Sequence, residues 1–236
     1  MVYIRFYPEE ADFRGKSLIA GFHGIGAAGY WSIKHIIKEA GMHRLAYLDS
    51  DLAAPVSTVI GKSISTPYEI FTNDDISALK VEVPVQKEHE VEFYKELGRL
   101  LIEKGVKEVL LIGGLDVNLK RDDSSYRIVK TRAFEPRDEL LSAEVLEDDH
   151  IIVGPVAVLL NYFEIMNFPA AALLVYASPE RLDPRAAAEA VNLIGRYYGL
   201  SIDVSELIKG AETIEANIQR EESPKEERGK GTEIYT

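Results

Sequence analysis

The segment KSLIAGFHGIGAAGYWSIKHII, residues 16–37, decides the fold of this chain. Ser17 to Phe22 is a short apolar run with the length of a buried strand. His23 to Gly26 is a turn dense in glycine. From Ala27 onward, Ala28, Trp31, Ile33, Ile36 and Ile37 recur at helical spacing. Gly41 stands where the helix can stop, because glycine takes the left-handed cap conformation without a Cβ penalty. Strand, tight turn and helix form the opening unit of a parallel α/β sheet.

The same turn fits G-x-G-x-x-G through Gly24, Gly26 and Gly29, with Gly21 just ahead of it. Glycines there let the chain turn sharply and let helix and strand approach closely. They also free backbone N–H groups at a helix N-terminus, which attracts anions. Asp49 closes the next apolar run about 20 residues on, where a ribose-binding carboxylate would sit. Two readings follow: a structural turn of Gly21, Gly24, Gly26 and Gly29, or a nucleotide or nucleoside site using Gly24, Gly26, Gly29 and Asp49. The structural reading is preferred, for reasons found in the rest of the chain. It expects Gly24→Ala and Gly26→Ala to destabilise the fold without affecting any nucleotide binding.

The chain has 236 residues, is 46% hydrophobic, and carries 27 Lys and Arg against 39 Asp and Glu, a formal charge of −12. An acidic surface repels phosphate backbones, so no nucleic-acid partner is expected. The absence of cysteine excludes disulfide and thiolate chemistry. No apolar run is long enough to span a membrane. The first residues, MVYIRFYPEE, lack the apolar core of a signal peptide. The expectation is a soluble, cytoplasmic protein with no membrane partner.

Val2 to Tyr7 reads as a first strand or a lead-in, and Leu45 to Leu48 as a second strand. Val56 to Ile60, Tyr68 to Phe71 and Ile76 to Val83 are β-like runs with no helix between them, which predicts an antiparallel extension. Gln86 to Lys104 is predicted as a helix with Val91, Tyr94, Leu97 and Leu101 inward. Val109 to Ile112 is a buried parallel strand ending in Gly113-Gly114-Leu115-Asp116. Tyr126 to Phe134 reads as a strand whose Arg127, Lys130 and Arg132 form a local basic patch, and His150 to Val153 as a further strand. Gly154-Pro155 opens a helix to about Asn167, and Ala171 to Tyr176 is the last strand. Asp183-Pro184 caps a helix through Tyr198. Asp203 with Glu206 starts one more, striped by Leu207, Ala211, Ile214 and Ile218. From Glu221 the periodicity stops, and residues 221–236 read as a disordered tail behind a single domain of residues 1–220.

Catalytic signatures are missing. His23, His35, His43, His89 and His150 show no metal spacing with acidic partners, so no metal is expected. Ser17, Ser32 and Ser178 lie in no nucleophile elbow. Gly61-Lys62-Ser63 lacks the upstream glycine of a P-loop. The adjacent pairs Asp122-Asp123 and Asp148-Asp149 sit in polar turns and point apart. No cofactor and no enzymatic activity are expected. The tail keeps one unexplained feature: it ends Ile234-Tyr235-Thr236, an apolar-aromatic pair after a polar stretch.

Taken together, these segments resemble the PAC2 family, which includes archaeal proteasome assembly chaperone homologues. The family's opening turn resembles G-F-P-G-I-G. Here it stands as Gly21-Phe22-His23-Gly24-Ile25-Gly26, with His23 in place of the usual proline. Gly113-Gly114, Gly154-Pro155 and Asp183-Pro184-Arg185-Ala186-Ala187 also fit, and the likeness covers roughly residues 15 to 220. The resemblance implies a phosphorylase-like α/β fold: a mostly parallel central sheet flanked by helices, with an antiparallel extension and a C-terminal helix pair. It implies no established catalysis. Some archaeal members end in a hydrophobic–Tyr–any motif, and Ile234-Tyr235-Thr236 matches it.

The resemblance thus implies an ATP-independent chaperone or activator. It would be a homo-oligomer, hypothetically of four or five subunits, docking its C-terminal tails into the α-ring of the proteasome core particle. Ile234 would bury its side chain, Tyr235 would anchor, and the carboxylate of Thr236 would meet a lysine between α-ring subunits. A chaperone that binds isolated subunits or another adaptor through its body, and the nucleotide reading of the glycine turn, remain as rivals.

Overall fold

The glycine-turn segment lands at the centre of an eight-stranded sheet. The structure, a computed structural model, describes residues 3–137, 144–148 and 150–222, the last five of these by backbone alone. Across the sheet the strands run β1 (Ile4–Tyr7), β3 (His43–Ser50), β6 (Tyr68–Thr72), β7 (Ile76–Val81), β2 (Ser17–Gly21), β8 (Glu108–Asp116), β10 (Ala170–Ala177) and β9 (Tyr126–Lys130). A separate hairpin, β4 (Thr58–Ile60) with β5 (Ser63–Ser65), pairs only with itself.

The sheet is parallel only in its middle. β7, β2, β8 and β10 run together, while β1–β3, β3–β6, β6–β7 and β10–β9 are antiparallel pairs. The expectation of a mostly parallel sheet is therefore too broad. Of the antiparallel pairs only β6–β7 is joined by a tight turn, which could not join parallel neighbours because they need a crossover. Between β6 and β7, Asn73 folds the chain back by accepting at Oδ1 from the N–H groups of Asp75 (3.0 Å) and Ile76 (2.9 Å).

Helices cover both faces. α2 (Glu90–Glu103) and α3 (Gly154–Ile165) pack on one, and α1 (Ala28–Glu39), α4 (Pro184–Tyr198) and α5 (Ser205–Glu222) on the other. The central strands divide their side chains between the two layers. On β8, Val109 and Leu111 face α2 and α3, while Leu110 and Ile112 face α1 and α4. Burial on both faces is why these strands read as continuous apolar runs.

Several boundaries differ from expectation. β8 does not stop at Ile112 but runs through both glycines to Asp116. His150 to Val153 forms no strand. On α2 the inward stripe is Phe93, Tyr94, Leu97 and Leu101, and Val91 is exposed. The expected basic patch is not one. Arg127 is buried and ion-paired to Asp122, Glu144 and Glu147, and Arg132 pairs with Glu164. α4 is capped as read: the Asp183 carboxylate accepts from Ala186 N–H at 3.0 Å, and Gly199 is left-handed at φ +69°. At α5 the Asp203 carboxylate accepts from Ser205 N–H at 2.9 Å, but Glu206 reaches across to Lys38 instead of closing a capping box. α5 extends to Glu222, two residues into the segment read as tail. Ile234, Tyr235 and Thr236 lie outside the described residues.

Candidate functional site

The turn after β2 is built by close backbone approach. A Cβ on Gly21 would lie 2.1 Å from the Gly29 carbonyl oxygen, and one on Gly29 would lie 2.3 Å from the Ile112 carbonyl oxygen. Gly114 gives the same clearance to Ile25, whose carbonyl oxygen would be 2.3 Å from a Cβ there. The first turn of α1 therefore rests directly on the backbones of β2 and β8. Gly26 and Ala27 are both left-handed, at φ +62° and +50°. For alanine that conformation costs about 1–2 kcal/mol. The loop after β10 holds it in place: Asp183 N–H donates to the Gly26 carbonyl at 2.9 Å, and the Asp183 carboxylate accepts from Ser178 N–H at 3.0 Å. Gly24 is different. Its φ is −157°, an extended conformation open to any residue, and nothing lies within 4 Å of a Cβ built there.

This geometry disfavours a phosphate cradle. The N–H groups of Ala27, Ala28 and Tyr30 donate to the carbonyls of Gly24, Ile25 and Phe22, so three of the donors at the start of α1 are already taken. Asp49, read as a ribose ligand, sits on β3, which β6 and β7 separate from β2. There it lies opposite Arg5 of β1. The glycines and Asp49 are not brought together.

Beside the turn runs a buried ionic network that sequence reasoning missed. Lys80 on β7 is 4% exposed and lies 2.8 Å from Glu69 of β6, itself 1% exposed. Lys80 also donates to Ser65, at the base of the hairpin, and stands 3.5 Å from Glu82. Arg44 reaches Glu69 from β3 at 3.0 Å. Glu82 accepts from the Tyr30 hydroxyl at 2.9 Å, and Lys34 donates to that hydroxyl at 3.0 Å. Tyr30 stacks on His23 with ring centres 4.0 Å apart. The one visible clue was a lysine inside the apolar run ISALKV.

Burial works to raise the pKa of Glu69, but the hydrogen bond and charge of Lys80 outweigh it and hold the carboxyl below its usual range. Glu82 is lowered in the same way, with burial overcome by the Tyr30 hydroxyl and by Lys34 and Lys80. Burial pushes the His23 pKa down and so favours the neutral ring, against the pull of Glu82, which favours the charged one. Its Nδ1 is buried with no partner among the described residues.

His23 opens onto a crevice of about 560 Å³ where the parallel strands end. The chain leaves β2 toward the β3 side and leaves β8 toward β10, so the crevice lies at the switch point where α/β sheets place ligands. Phe22, Ile25, Val85, Leu115, Ile151 and Pro155 line it, with Lys87, Glu90 and Asp116 as its charges. Among the described residues no group of His, Asp and Glu is arranged to hold a metal ion. No helix among them is long and apolar enough to cross a membrane.

A model of the PAC2 family matches residues 18–222, which takes in the turn, the crevice and all five helices. The chain belongs to the PAC2 family. An uncharacterized protein of Methanocaldococcus jannaschii, MJ0106, is 22% identical over 208 residues, 88% of this chain and 86% of its own. PbaA of Pyrococcus furiosus, an archaeal homolog of proteasome-assembly chaperone, superposes with a TM-score of 0.76 at 22% identity, covering 93% of this chain and 96% of that one. PbaB of the same organism, an archaeal proteasome activator, gives 0.77 at 20% identity over 94% and 99%. At these identities the likeness is one of fold. In this PAC2 protein the fold spends its glycines on packing the turn and leaves the crevice beside it open.

Proposed function

We propose that this protein is an ATP-independent proteasome assembly chaperone or activator. It acts in the cytoplasm as a homo-oligomer and presents its C-terminal residues to the α-ring of the core particle. The observation that carries this reading is the PAC2 fold shared with PbaA and PbaB over nearly the whole of each chain. The terminal Ile234-Tyr235-Thr236, which fits a hydrophobic–Tyr–any motif, supports the docking mode. Ile234 contributes apolar burial of roughly 1.5–3 kcal/mol if fully desolvated. Tyr235 is a rigid anchor with a polar tip, and the carboxylate of Thr236 makes a charge-assisted contact. Several tails on one assembly bind with avidity, because each later contact is intramolecular.

The test is capture of the core particle by the full chain, by Tyr235→Ala and by a chain ending at Glu233, alongside peptide hydrolysis. Both variants are expected to lose capture and any stimulation while keeping their oligomeric mass. Equal capture by the truncated chain removes the tail from the mechanism and leaves the body as the binding surface.

A further inference from the structure

The edge of the sheet where the parallel strands end carries two unpartnered apolar features of opposite shape. One is the β4–β5 hairpin. β3 ends at this edge and β6 begins there, so the insert between them projects from it. Its Val59, Ile60 and Ile64 are 75%, 50% and 63% exposed, although all three are β-branched strand residues. A two-stranded hairpin is at best marginally stable alone in water. At its tip stands Lys62, which makes no ion pair among the described residues. The second feature is the switch-point crevice, concave and apolar, rimmed by Ile151 at 87% exposure and Val153 at 76%. Its charges are Lys87, Glu90 and Asp116, one negative in net with His23 neutral. Three strand spacings separate the two features, about 14 Å.

We propose that the occupant of the crevice is the hairpin of a second copy of this chain. A projecting element and a recess side by side on one edge are what a two-fold contact needs. Each copy gives its hairpin to its partner's crevice and receives one in return. Val59, Ile60 and Ile64 enter the apolar crevice, and Lys62 meets Glu90 and Asp116. The Lys80–Glu69–Ser65 network fixes the hairpin base and reaches His23 at the crevice through Glu82 and Tyr30, so both halves of the contact share one rigid support. The contact rests on the self-association in the functional reading above, and adds to it the surface that carries that association.

The test is sedimentation velocity of the full chain over a micromolar concentration range. Val59→Asp with Ile64→Asp changes two exposed side chains, so circular dichroism should stay as in the native chain. The dissociation constant should rise at least tenfold. Lys62→Glu and Glu90→Lys should each weaken association, and the double variant should recover most of the loss, which a merely structural role would not produce. An unchanged constant in the hairpin variant, or no recovery in the charge swap, overturns the proposal and leaves tail-mediated capture of the core particle untouched. A monomeric native chain overturns it together with the self-association in the functional reading. Unaltered self-association with lost capture of the core particle assigns the hairpin to a foreign partner and also overturns it.

Discussion

In the half of the sheet built from β2, β8 and β10, the strands carry apolar side chains on both faces, and α1 lies so close that backbone touches backbone. In the half built from β3, β6 and β7, the strands carry Arg44, Glu69 and Lys80, two of them among the most buried charges of the chain. The first half is specified by volume and the second by charge. A packed backbone contact tolerates no added atom, whereas a buried ion pair tolerates no missing partner. Substitutions of opposite kinds should therefore break the two halves.

The largest effect is expected in the parallel half. Gly29→Ala puts a methyl group 2.3 Å from the Ile112 carbonyl oxygen and 2.9 Å from the Phe22 nitrogen. Both obstacles are backbone, so no side-chain rotation relieves them. The loss should exceed about 5 kcal/mol, in the exceptional tail for single substitutions, and soluble yield and urea unfolding would report it. A loss below about 1 kcal/mol would mean that α1 can slide on β8, and the contrast between the halves would fail.

In the antiparallel half, Lys80→Met keeps much of the volume and removes the charge. Glu69 keeps its hydrogen bonds from Ser65 and Thr66 but, of its two cations, only Arg44, 35% exposed, and the cost should be about 3–5 kcal/mol. At about 2–4 °C per kcal/mol the thermal midpoint falls by roughly 6–20 °C. The pH dependence sharpens the point. Glu69 and Glu82 are held below their ordinary value of 4.5 in the folded chain. Their contribution is complete above that value and is lost as pH falls through the lower folded pKa. In the variant, burial without Lys80 favours the protonated carboxyl, so acid relieves rather than destabilises it. The gap between native and variant should narrow as the pH falls below 4.5, measured by denaturant titration at each pH. A constant gap would show that Lys80 acts by packing alone.

The same contrast explains what could be read from the chain. The parallel half announces itself, because strands buried on both faces are continuous apolar runs: Ser17 to Gly21, Val109 to Ile112 and Ala170 to Ala177. Caps such as Asp183 with Gly199 are local chemistry and were legible for that reason. The antiparallel half was harder. Lys80 looks like a solvent-facing residue until the strand pairing places Glu69 opposite it. Arg127 read as part of a surface patch because two of its three acidic partners, Glu144 and Glu147, are distant in sequence. His150 to Val153 has the composition of a strand, yet Ile151 and Val153 face outward at the crevice. The crevice itself depends on where the chain reverses its direction across the sheet, which no single segment encodes.

The smallest effect belongs to Gly24, and it tests whether the glycine turn acts as one unit. The sequence motif treats Gly24 and Gly26 alike, and both were expected to destabilise as alanine. In the structure they part. Gly26 is left-handed at φ +62°, and a Cβ there meets Ala177 Cβ at 2.8 Å and Asp183 Cβ at 2.9 Å. Gly26→Ala should cost about 1–2 kcal/mol for the conformation alone, and more for the contacts. Gly24 is extended at φ −157°, with open space around a built Cβ. Gly24→Ala also removes some of the freedom of the unfolded chain, which favours the folded state slightly. The two terms leave Gly24→Ala within about 0.5 kcal/mol of the native chain. Paired urea titrations of Gly24→Ala and Gly26→Ala would decide it. If Gly24→Ala falls as far as Gly26→Ala, the turn is strained along its whole length and the close approach at Gly29 is not its only fixed point. If only Gly26→Ala falls, the first glycine of the motif is free of the fold, and its open side faces the crevice where a docked partner would lie.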